Sequence, residues 1–164
     1  PNRAMGYQFG RELRNAEYLS HTQPFSAGAI MSTVDDLSKW QRAIQSNTLV
    51  KKETIEKAFT NYPLNNGKPT YYGYGWMLDE INGSFTREHS GGIFGYSSNG
   101  IYLPKEEVYV VVLSNCNCNS PVEVSTRMAA LAIGKPYPKL IDKVKLDEKY
   151  AKSLVGIYNF EDGT

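Results

Sequence analysis

Four strand-like runs, residues 74–80, 85–89, 97–103 and 108–114, follow one another with very little chain between them. A parallel pairing needs a crossover of about a dozen residues or more, and none of these connections is that long. Asn82-Gly83 between the first two runs is a strong signal for a tight hairpin turn, since both residues tolerate positive φ. Pro104-Lys105-Glu106-Glu107 is a second turn, ahead of the apolar run Val108-Tyr109-Val110-Val111-Val112-Leu113-Ser114. These spacings predict an antiparallel meander in which the last three runs are neighbours.

Helical signals flank the meander. Thr33 is an N-cap candidate, with Asp36 three residues on to complete a capping box. A helix is predicted over 34–45, with Val34, Leu37, Trp40 and Ile44 on one face, and a shorter one over 52–59. A third is predicted from Pro121 to Ile133, its buried stripe being Val124, Met128, Leu131 and Ala132. Ahead of the first helix, the small-residue stretch Ser26 to Thr33 reads as a tightly packed, buried turn into that helix. Residues 1–25 read as a loop with a short extended piece at 4–9. Residues 61–69 are dense in turn formers. The predicted class is α+β, an antiparallel sheet with flanking helices.

With 41% hydrophobic residues in 164, the chain can bury an ordinary core. Its 18 basic and 17 acidic side chains form no basic cluster, so no nucleic-acid partner is expected. No run of about 18 apolar residues exists, so no transmembrane segment is expected. Cys116 and Cys118 read as two small side chains closing a strand, because a bond between cysteines this close is uncommon. No metal site is expected, since no further ligands stand at a matching spacing. No cofactor motif is found. Residues 139–150 read as a linker, and 151–164 as the first strand of a following small β domain. A lone strand is not stable by itself. The chain is therefore expected to be a fragment of a longer protein.

The chemistry concentrates at His89-Ser90-Gly91-Gly92. An imidazole can hold or release a proton near neutral pH. The two glycines carry no Cβ and let a ligand or another backbone come close. His89 and Ser90 are neighbours, so a regular strand would turn them to opposite faces. Only a bulge or strand end would bring them to one side, and the glycines allow the chain to kink just past the pair. Tyr72, Tyr74 and Trp76 are explained equally by a cleft wall and by strand packing. Arg87 and Glu88 read as alternating exposed strand positions.

Five segments together, in this order, resemble the serine β-lactamase-like proteins. They are Ser26 to Trp40, Tyr72-Gly73-Tyr74-Gly75-Trp76, His89-Ser90-Gly91-Gly92, Phe94-Gly95-Tyr96, and the strand ending in Ser114-Asn115. That group includes class C β-lactamases, penicillin-binding proteins, D-amino-peptidases and related esterases. The resemblance implies the C-terminal part of a β-lactamase/transpeptidase-like catalytic domain over 1–138, with the N-terminal part of the same domain missing. The family builds its site from Ser-x-x-Lys, Tyr-x-Asn and a Lys-Thr-Gly-type triad on a strand. Only the third is matched, as His89-Ser90-Gly91, a departure that points to a peptidase or esterase more than to a strict β-lactamase. No serine here has a lysine three residues on, and no tyrosine an asparagine two residues on.

The implied role of the parent is acyl-enzyme chemistry on a small-molecule or peptide substrate, an amide or an ester, with the nucleophile outside this chain. His89 and Ser90 would hold substrate or assist proton transfer, and the Gly92 N–H would be one oxyanion donor. Gly91 and Ile93 would bind substrate backbone along the strand edge, and Tyr72 would line the cleft. The alternative is a non-catalytic penicillin-binding-like module that binds peptide or glycan.

Overall fold

A computed structural model describes residues 3–20, 22–135 and 147–156. Its centre is a four-stranded antiparallel sheet in sequential order. The strands are β3 (Met77–Ile81), β4 (Ser84–Ile93), β5 (Tyr96–Leu103) and β6 (Val108–Ser114). The meander expected from the short connections is present. Asn82 and Gly83 both have positive φ, which makes the β3–β4 turn a two-residue hairpin with Ile81 facing Ser84. The short strands β1 (Tyr7–Phe9) and β2 (Leu13–Asn15) form a separate ribbon. That ribbon docks beside the end of β6, where Tyr7 N–H donates to the Asn115 carbonyl at 2.9 Å.

Helix α1 (Val34–Gln45) starts where its cap places it, Thr33 Oγ1 accepting from the Asp36 N–H at 3.2 Å. Helix α2 (Lys52–Ala58) follows. Helix α3 (Pro121–Ala132) packs on the sheet through a face other than the one expected. Pro121, Ser125, Ala129 and Ala130 are buried, whereas Val124, Met128 and Leu131 are exposed. Small side chains let the helix backbone approach the strands closely. Ile81, Ile101, Leu103, Ala129 and Ala130 form the core, with Val108, Val110 and Ile133 packed around them.

Three further readings are corrected. The turn before α1 is a short 3-10 helix, Phe25–Ala27, and it is exposed rather than buried, as are Phe25, Ile30 and Met31 around it. Cys116 and Cys118 are joined in a disulfide, their Cα atoms 5.1 Å apart, because the chain folds back after β6 and brings the two side chains together. Arg87 and Glu88 are half-buried: the Phe59 ring at the C-cap of α2 covers the first, and Asn99 of β5 hydrogen-bonds the second.

Helix α4 (Glu148–Ser153) spans the boundary expected between linker and terminal strand. Most of the expected linker and residues 157–164 lie outside the described residues. Among the described residues no helix is long and apolar enough to cross a membrane.

Candidate active site

Strand β4 is longer than its apolar pattern indicated, because it carries the polar and glycine positions of His89-Ser90-Gly91-Gly92 within the ladder. Pairing is unbroken: His89 faces Gly100, Ser90 faces Asn99, Gly91 faces Ser98 and Gly92 faces Ser97. The kink that the glycines would allow is therefore absent. Main-chain pairing with β5 on every residue is enough to hold the glycines in regular extended form. His89 and Ser90 consequently point to opposite faces of the sheet. At Gly91 a Cβ would stand 2.6 Å from Ser98 Oγ, while at Gly92 it would meet nothing within 4 Å.

On its other side β4 loses its partner. The β3–β4 ladder ends at Met77 opposite Glu88, so residues 89–93 pair only with β5. Counting from the hairpin at Ile81–Ser84, alternate residues direct both backbone groups toward β3. Ser90 and Gly92 fall on that count, and their main-chain groups border the open edge. His89 flanks this edge on one face and Ser90 on the other.

The loop carrying Tyr72 is clamped beside that edge. The Tyr74 N–H donates to the Ala58 carbonyl at 3.0 Å and the Gly73 N–H to the Trp76 carbonyl at 2.8 Å. Trp76 stacks on Trp40 of α1 with ring centroids 5.6 Å apart, and meets Phe59 edge-on at 5.3 Å. Gly73 is required here, since a Cβ would lie 2.0 Å from the Ala58 carbonyl oxygen. Held this way, Tyr72 places its hydroxyl 2.7 Å from His89 Nε2, the two rings meeting edge-on at 5.8 Å. His89 Nδ1 lies 2.6 Å from the Ser90 carbonyl oxygen. Both imidazole nitrogens are thus engaged.

A cleft of about 380 Å³ opens on the His89 face, between α1 and the sheet, with Leu37, Trp40, Trp76, Tyr109 and Leu113 among its walls. Burial raises the Tyr109 hydroxyl above its ordinary range. Arg87 lies over the Phe59 ring at 3.9 Å, and loss of solvent lowers its guanidinium from the usual value. On the opposite face Glu88 accepts from Asn99 Nδ2 at 3.3 Å. Burial there raises its carboxyl, and Asp79 adds to the effect.

The structure therefore brings Tyr72 to His89 and sets Ser90, Gly91 and Gly92 along one open edge. Ile93 stands apart, lining a second cavity of about 260 Å³ with Met5, Tyr18 and Tyr96. The Tyr72–His89 bond had no signal in the sequence, since it joins positions 17 apart through a loop without a period.

The β-lactamase family model matches residues 1–135. The chain is 30% identical over 168 aligned residues to penicillin-binding protein 4* of Bacillus subtilis (strain 168), covering 96% of this chain and 37% of that protein. It is also similar to the solved structure of an octameric penicillin-binding protein homologue from Pyrococcus abyssi. That match has a TM-score of 0.64 and 30% identity, over 81% of this chain and 31% of the other. The chain thus spans about a third of the length of these relatives.

Proposed function

The chain belongs to the β-lactamase family, and from that premise we propose that it forms the C-terminal part of a serine hydrolase domain whose nucleophile lies upstream of Pro1. The observation that carries this reading is the open edge of β4 at Ser90 and Gly92, flanked by His89. An unpaired edge accepts the backbone of a peptide-like substrate as an added strand. The Gly92 N–H faces the reacting carbonyl there as one oxyanion donor, and a second donor comes from the nucleophile's own residue. His89 serves proton transfer beside the nucleophile, and Ser90 holds a polar substrate group. The substrate is an amide or an ester, opened through an acyl-enzyme that water then hydrolyses. His89 in place of a lysine favours peptidase or esterase chemistry.

Labelling with a fluorescent penicillin and a fluorophosphonate tests this. The full-length protein is expected to be acylated at a serine upstream of Pro1, and the 164-residue chain to remain unlabelled. Labelling of any serine within this chain would show the nucleophile to be misplaced. A full-length protein that binds peptide without being acylated would instead support a non-catalytic binding module.

A further inference from the structure

We propose that Tyr72 and His89 work as one hydroxyl–imidazole relay, in which Tyr72 Oη is the atom offered to the reacting centre and His89 the positioning residue behind it. This rests on the serine-hydrolase reading and deepens it. The Ser90 carbonyl oxygen is only an acceptor, so at 2.6 Å His89 Nδ1 must carry a proton. That contact fixes the tautomer: in the neutral ring Nε2 is bare, and it takes the hydrogen of Tyr72 Oη at 2.7 Å. Nε2 is therefore already occupied and has no second lone pair for a substrate. The free valence of the pair lies on the tyrosine oxygen, and Tyr72 as a residue is 37% exposed.

Proton transfer then balances in both directions. When a nucleophile or water attacks, its proton passes to Tyr72 Oη while the Oη proton moves to Nε2, leaving a neutral phenol and an imidazolium. When a leaving group departs, Oη gives it a proton and recovers one from Nε2, which returns the ring to the neutral Nδ1–H form. Ser90 holds the Nδ1 proton throughout. The edge-on ring contact and the clamped loop keep the two groups in register, so no reorientation of either ring is needed.

The test uses ring ¹⁵N spectra of the full-length protein, with His89→Gln assigning the signal, together with kinetics of Tyr72→Phe. The neutral His89 ring is expected to show a protonated Nδ1 and a bare Nε2. Tyr72→Phe should move the Nε2 resonance, and it should lower kcat by about 10²-fold or more with KM little changed. The double variant Tyr72→Phe/His89→Gln should lose no more than the worse single variant, because the two act as a unit. An Nε2–H tautomer, an Nε2 signal indifferent to Tyr72→Phe, or additive losses would each overturn the relay. A full-length protein that no acylating probe labels removes the hydrolase reading and the relay with it, whatever the ring signals show of the pair.

Discussion

Asn99 donates through Nδ2 to Ser125 Oγ at 2.8 Å, joining the middle of β5 to α3 where both side chains are fully buried. Asn99 also faces Ser90 across the ladder, so this bond fixes the back of the strand that carries the site. Ser125 in turn donates to the Val122 carbonyl at 3.0 Å. Ser125→Ala leaves the Asn99 amide with only the longer contact to Glu88. A buried donor left short of a partner costs about 1–3 kcal/mol. Urea unfolding of the protein should show that loss as a lower midpoint at unchanged slope. A variant as stable as the parent would mean that the bond contributes nothing net.

The same pair explains what sequence periodicity could and could not convey. Val124, Met128 and Leu131 recur at helical spacing and look like a core stripe, yet Ser125 and Ala129 face the sheet. Hydrophobicity fixes a period but not its phase, and here close approach of helix to strand selects small residues. Helix α1 was legible because Thr33 and Asp36 mark its start chemically. The meander was legible because Asn82-Gly83 permits little else. The extension of β4 through two glycines was not, since ladder pairing with β5 overrides their weak strand preference. The short disulfide and the Tyr72–His89 contact depend on how loops fold back, which no local period encodes.

Glu88 gives a pH dependence with a defined sign. Burial is its main influence and raises its carboxyl, with Asp79 acting the same way and Asn99 and His89 opposing. The folded state thus holds the Glu88 proton more tightly than the unfolded chain does. That contribution to stability is complete below the ordinary glutamate range, and it is lost as pH rises through the raised value. Glu88→Gln cannot ionise and keeps an oxygen for Asn99. Its stability relative to the parent should therefore improve as pH rises from about 4 toward neutrality. A gap that stays constant would show that Asn99 and His89 cancel the effect of burial, and one that widens toward acid that they outweigh it.

Two glycines in the Tyr72 loop separate steric from conformational cost. Gly75 has φ of 75° and open space where a Cβ would go, so Gly75→Ala should cost about 1–2 kcal/mol through backbone strain alone. Gly73→Ala would drive a Cβ to 2.0 Å from the Ala58 carbonyl, and the loop must leave α2 to relieve it. A loss of about 3 kcal/mol is expected, at the upper end for overpacking. Because that loop holds Tyr72 against His89, Gly73→Ala should also depress turnover of the full-length protein, beyond what Gly75→Ala does. Equal melting temperatures and equal activities for the two variants would break the link between the α2 contact and the position of Tyr72.

The opposite facing of His89 and Ser90 sets the last expectation. The imidazole is exposed on the cleft side, and its hydrogen bonds go to Tyr72 and to the Ser90 backbone rather than into the core. His89→Ala should therefore lower kcat of the full-length protein by about 10²–10⁴-fold, the range for a positioned acid or base, and leave its melting temperature nearly unchanged. Ser90 lies across the edge, on the face away from the imidazole, where the proposed function has its hydroxyl hold a polar substrate group. Ser90→Ala should act on KM more than on kcat, as expected for contact held equally in ground and transition states. Full activity with a melting temperature several degrees lower in His89→Ala would make that residue structural. A fall in kcat at constant KM in Ser90→Ala would place its hydroxyl in the chemical step, and β4 would then have to twist enough at Gly91 to turn both side chains toward one centre.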